Sequence, residues 1–220
     1  MKTNPLIIGV LTLILGFSAC QNNALKTETD QSSMDSNGMK MDSTAMNSEM
    51  KSEMDKMMKD MHQMEMTGNA DYDLISMLKT HHQGAIDMAK VELDSGTEPK
   101  LKQIAQNIVD KQSKENQMLD DMLKSTDKSQ KDYEPSDKSS GLGKDMDANM
   151  MKMMEMGHDT PGSLDQEFAS MMIKHHKEGI DMGNIILKYS KMAEFKSMAQ
   201  KMIEDQTKEI TELEASMSQH

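Results

Sequence analysis

Apolar positions recur at helical spacing in two long stretches of the chain and thin out around them. Leu74, Leu78, His81, Ala85 and Met88 fall on one stripe, with Ile75, His82, Ile86 and Leu93 one step around it, which predicts an amphipathic helix. Gly96, Thr97 and Pro99 then supply a stop, an N-cap and a proline near the start of the next helix. In that helix Ala105, Ile108, Gln112, Glu115 and Leu119 follow 3-4-3-4 spacing. The whole pattern returns without a gap, because Asp71–Leu123 superimposes on Asp165–Met217, with 16 of 53 positions identical. Two duplicated hairpins pack most simply as an all-α four-helix bundle.

The surroundings divide the chain further. Residues 1–19 read as an export leader, with Lys2 at its start, an apolar run from Leu6 to Phe17, and the small residues Ser18 and Ala19 before Cys20. That run is well short of the ~20 residues that span a bilayer. A lone Cys after small residues resembles the lipobox of bacterial lipoproteins, so Cys20 is the expected lipidation site and the only membrane attachment. With Cys20 acylated, the mature chain has no thiol. Residues 20–43 have the polar composition of a disordered tether, 44–66 a Met-rich helix, 67–124 the first hairpin, 125–145 a solvated linker, 146–164 a second Met-rich segment and 165–220 the second hairpin.

Charge narrows the function. Lys+Arg 25 against Asp+Glu 37 gives −12, and every basic residue is Lys. A chain without Arg, repelled by polyanions and only 3% aromatic, is not built for nucleic acid. Methionine, at 29, outnumbers every other residue type. No Ser/His/Asp triad, phosphate loop or zinc-type Cys cluster is visible.

Candidate chemistry lies on the inner helix face. Met77, His81 and Met88 share a face of the first helix with His82 beside them, and Met171, His175, His176 and Met182 repeat this. Imidazole and thioether offered together suit a soft, low-charge cation such as Cu(I), with Ag(I) as its mimic. Gln112, Glu115, Gln206 and Glu209 interrupt the apolar seams of the second helices, and a carboxylate there can hold the far N–H of a ligating histidine. The Met-rich flanks offer secondary docking through Met57, Met61, His62 and Met64, and through Met153, Met154 and His158. Their 4-3 spacing fits an amphipathic packing helix equally well.

The stretches Gly68-Asn-Ala-Asp-Tyr-Asp73, His81-His-Gln-Gly-Ala-Ile-Asp-Met88 and Ile104-Ala…Gln112…Glu115, with Met172-Ile-Lys-His-His176, Ile180-Asp-Met182 and Gln206-Thr-Lys-Glu209, resemble the bacterial domain-of-unknown-function family numbered 305. The second copy departs from that pattern with Glu178 for Gly84 and Gly179 for Ala85. The resemblance implies a ferritin-like four-helix fold in an exported protein, with copper or silver binding and copper tolerance in some members. The expected function is therefore a non-catalytic, lipid-anchored binder in the cell envelope, on its periplasmic or outer-membrane face. It would sequester or transfer Cu(I)/Ag(I), with copper ions and copper efflux components as partners and no nucleic acid. The alternatives are a structural surface lipoprotein with a Met-packed bundle, or a cuprous oxidase. A di-iron oxidase would need two Glu-x-x-His units, and only Glu155–His158 fits.

Overall fold

The computed structural model describes residues 43–155 and 162–218, with side chains from residue 49, so Cys20, the tether and His158 lie outside the described residues. Six helices follow one another: α1 (Ser43–His62), α2 (Ala70–Ser95), α3 (Pro99–Ser125), α4 (Gly141–Glu155), α5 (Leu164–Tyr189) and α6 (Ala193–Met217). Among the described residues there is no strand, and no helix is long and apolar enough to cross a membrane. The hairpins α2–α3 and α5–α6 pair through α2 against α5 and α3 against α6, giving the four-helix bundle. The remaining helices, α1 and α4, pack against α2 and α5.

Local caps explain where the helices start. Asn69 Oδ1 accepts the Tyr72 N–H at 2.9 Å to open α2, and Ser163 and Gln166 form a capping box at α5. The turn between α2 and α3 differs from the sequence expectation, because the N-cap is Glu98, which makes no side-chain cap, and not Thr97. The cap comes from the other repeat. Asp165 Oδ1 accepts the Thr97 and Glu98 N–H groups at 2.8 and 2.7 Å, and Asp165 Oδ2 accepts the Thr97 hydroxyl at 2.7 Å. Its counterpart Asp71 accepts the Ser190 hydroxyl and, at 3.1 Å, the Lys191 N–H just before α6. These reciprocal contacts place the start of each long helix beside the end of the other, so α2 and α5 run antiparallel about a pseudo-twofold axis.

The methionine edge of α1 is core. Met50, Met54, Met57 and Met61 are each at most 4% exposed, and the same 4-3-4 spacing is buried in α4 as Leu142, Met146, Asn149 and Met153. The repeat is therefore a three-helix unit, which the sequence comparison of the hairpins alone did not reveal. Its two copies differ at one contact. In the first, Met57 lies directly on Gly84; in the second, Asn149 Nδ2 donates to Glu178 Oε2 at 3.4 Å.

The segment between α3 and α4 is fastened to the bundle. Gly68, with φ +88°, presents its carbonyl to the Asp132 and Tyr133 N–H groups at 2.8 and 3.2 Å, and the Tyr133 hydroxyl donates to Asp73 Oδ2 at 2.7 Å.

One buried acid sets a pH dependence. Glu92 is fully buried near the end of α2, where the second copy has Ile186. Burial first, and the nearby Asp165 carboxylate second, push its pKa up to about 8; burial also pushes Glu167 up to about 7. The unfolded chain releases these protons near the ordinary value of 4.5, whereas the folded chain keeps them. Stability should thus fall as pH rises from about 4.5 to 8, Glu92 contributing at most about 5 kcal/mol to the fall. Thermal melts of Glu92→Gln should show a smaller decline over that window. An unchanged slope would remove Glu92 as its cause.

Candidate metal centre

Where α2 crosses α5, the middle of each long helix brings its histidine pair into the bundle. All four imidazoles are buried, with none more than 1% exposed. The rings of His81 and His175 stack across the pseudo-twofold axis with centroids 3.8 Å apart and an interplanar angle of 29°. His175 Nε2 lies 3.0 Å from the His81 carbonyl oxygen, an acceptor, so Nε2 carries the proton and Nδ1 keeps its lone pair.

The neighbouring histidines face the second helices. His82 Nε2 lies 3.0 Å from Glu115 Oε2, and His176 Nε2 lies 2.9 Å from Glu209 Oε2. Both contacts are close in distance but lie off the line of a well-formed hydrogen bond. A carboxylate beside Nε2 favours the tautomer that carries its proton there. The Nδ1 atoms of His81, His82, His175 and His176 are all buried without a hydrogen-bond partner, as are Gln112 Oε1 and both amide atoms of Gln206. Each such orphan costs about 1–3 kcal/mol, so a cluster of them points to a ligand the protein does not itself provide.

Burial keeps the stacked pair neutral. Burial, and then the proximity of the other histidines, hold His81 and His175 well below the ordinary imidazole value of 6.5. Glu209 is raised by burial, but His176 and Lys111 outweigh that and its carboxyl titrates below the ordinary range. Lys111 contacts both Glu209 and Asp205, and Asp205 occupies Lys111's own position in the second repeat. Glu115 and Glu209 also line a groove of about 490 Å³ between α3 and α6, so they connect the buried imidazoles to solvent.

The methionines divide between the core and the surface. Met77, Met88, Met171 and Met182 are all buried in the core, and Met77 also reaches the wall of a separate pocket, which it shares with Met61, His62 and Met64. Met57 and Met153 are packing residues, buried against the bundle, and do not form a docking edge at the surface. Met154 is 60% exposed and His62 is exposed. Among the described residues, no three His, Cys, Asp or Glu side chains are arranged to hold a metal ion. A cation here would therefore use few imidazole donors together with thioether or amide.

Gly179, which the sequence showed only as a departure from the first copy's Ala85, has a role in the site. A Cβ there would sit 2.5 Å from Gln206 Oε1 and 3.0 Å from His81 Cε1, so only glycine admits the ring and the amide together. It stands four residues after His175 on the same helix face, and a glycine at that spacing signals close approach.

A family model described as "Domain of unknown function (DUF305)" matches residues 20–123 and 71–217. No curated protein matches the chain. Among solved structures, CopM in the Cu(I)-bound form and CopM in the Ag-bound form, obtained by soaking, are similar. Each is 26% identical with a TM-score of 0.51 and covers 68% of this chain; the alignments take in 96% and 95% of the respective CopM chains.

Proposed function

The chain belongs to the DUF305 family, and from that premise we propose that it binds Cu(I), with Ag(I) as a mimic, at its buried imidazoles, and sequesters or transfers the ion without catalysis. We place it in the cell envelope, anchored by lipid on Cys20, where it contributes to copper tolerance and exchanges ions with copper efflux components. One observation carries the reading: four buried imidazoles lie where α2 crosses α5, with every Nδ1 unpartnered and the stacked pair His81 and His175 held neutral by burial. A neutral nitrogen lone pair with a carboxylate behind its other N–H is a metal ligand in waiting. That the similar CopM structures hold Cu(I) and Ag supports the choice of ion.

A second reading is favoured by the absence, among the described residues, of a ready-made triad of His and acidic ligands. In it the bundle is structural and the histidines merely stack. Anaerobic titration of the purified chain with Cu(I) against a competing chelator separates the two. Retention of more than one equivalent is expected. No retention against a modest chelator would leave only the structural reading.

A further inference from the structure

A second pocket, of about 270 Å³, opens between the end of α1, the start of α4 and the N-terminal half of α2. Its lining includes six methionines, Met61, Met64, Met66, Met77, Met146 and Met150, together with His62. We infer that this pocket is a thioether site for a soft monovalent cation of the Cu(I)/Ag(I) class, separate from the imidazole cluster; the inference rests on the copper reading above for the identity of the ion.

Three features distinguish the pocket from ordinary methionine packing. Methionine is the most adaptable of core side chains and fills irregular gaps, and interiors hold few voids larger than a water. Six of them nevertheless surround open space. The lining residues also differ in burial: Met61, Met77 and Met146 are buried, Met64, Met66 and Met150 are half-buried, and His62 is exposed. The pocket thus offers methionines that solvent reaches as well as methionines it does not.

Finally, the pocket carries little net charge. Its Asp147 carboxylate lies 3.5 Å from the Lys138 ammonium, and the Tyr133 hydroxyl is committed to Asp73. A hard divalent cation would ask for unpaired carboxylate oxygens, whereas a soft monovalent one is satisfied by neutral sulfur. Met64 Sδ lies 3.7 Å from the Thr80 hydroxyl, whose single proton has the nearer Ser76 carbonyl at 3.1 Å as its acceptor, so the thioether keeps its lone pairs.

The test is Ag(I) titration of the purified chain, followed by NMR of methionine methyl groups and histidine rings. The methyl signals of Met66, Met146 and Met150 should move in a class of equivalents distinct from that which moves His81 and His175. Replacing Met66, Met146 and Met150 together by leucine, which nearly conserves volume, should delete the methyl class and leave the imidazole class. Should that variant fail to fold, the methyl shifts of the unmodified chain decide the matter. Silver bound with those methyl signals unmoved would overturn the pocket while leaving the imidazole reading intact. Methyl shifts with unmoved imidazoles would uphold the pocket and defeat the imidazole reading.

Discussion

Replacing His81 and His175 together by phenylalanine should abolish the tightest class of Cu(I) binding and leave the metal-free protein folded. The two rings stack at 3.8 Å in an otherwise apolar crossing of α2 and α5, so an aromatic of similar shape keeps most of the packing. What is lost is the contact from His175 Nε2 to the His81 carbonyl, worth about 1 kcal/mol. What is relieved is the desolvation of three buried ring nitrogens without partners, each costing about 1–3 kcal/mol. The balance favours equal or higher thermal stability in the absence of metal, together with lost copper affinity. A function held at the expense of stability has that signature. Thermal melts with and without one equivalent of Cu(I) would check both halves at once. A variant that keeps its tightest copper class would remove His81 and His175 from the site.

The second large effect is structural. A methyl group at Gly84 would overlap Met57 Sδ and Cγ and lie 2.9 Å from Met57 Cβ. The far end of a methionine swings aside readily, but its Cβ is fixed to the helix, so Gly84→Ala must push α1 away from α2. Overpacking of this kind costs about 1–3 kcal/mol. The whole burial of Met50, Met54, Met57 and Met61 is at stake if α1 leaves, at about 1.5–3 kcal/mol per side chain. Hydrogen exchange should therefore show α1 amides losing protection, while the bundle of α2, α3, α5 and α6 keeps it. Unchanged protection in α1 would mean that the contact at Gly84 does not hold the helix in place. Because Met61 and His62 sit at the far end of α1, the same variant should also weaken the methionine pocket.

Much of this was legible in the sequence because hydrophobic spacing and exact repetition report directly on helices and their buried faces. The hairpins, the inward position of His81, His82, His175 and His176, and the nearness of Glu115 and Glu209 to the histidines all follow from a constant offset and a 3-4 stripe. Three features did not follow. The methionine stripe of α1 has the same spacing whether it packs or presents sulfur to solvent, and only the third dimension shows Met57 against Gly84. The cap of α3 is Asp165, 68 residues from Thr97 along the chain, and no local signature reveals a cap supplied in trans. Glu92 stands where the second copy has an ordinary apolar residue, so repetition conceals it.

The most direct measurement is the ring NMR of the four histidines during addition of the first equivalent of Cu(I) under anaerobic conditions. Nδ1 resonances of His81, His82, His175 and His176 should shift together while the exposed His62 stays in place. Copper retained with all four of those nitrogens unmoved would contradict a centre built on buried imidazoles.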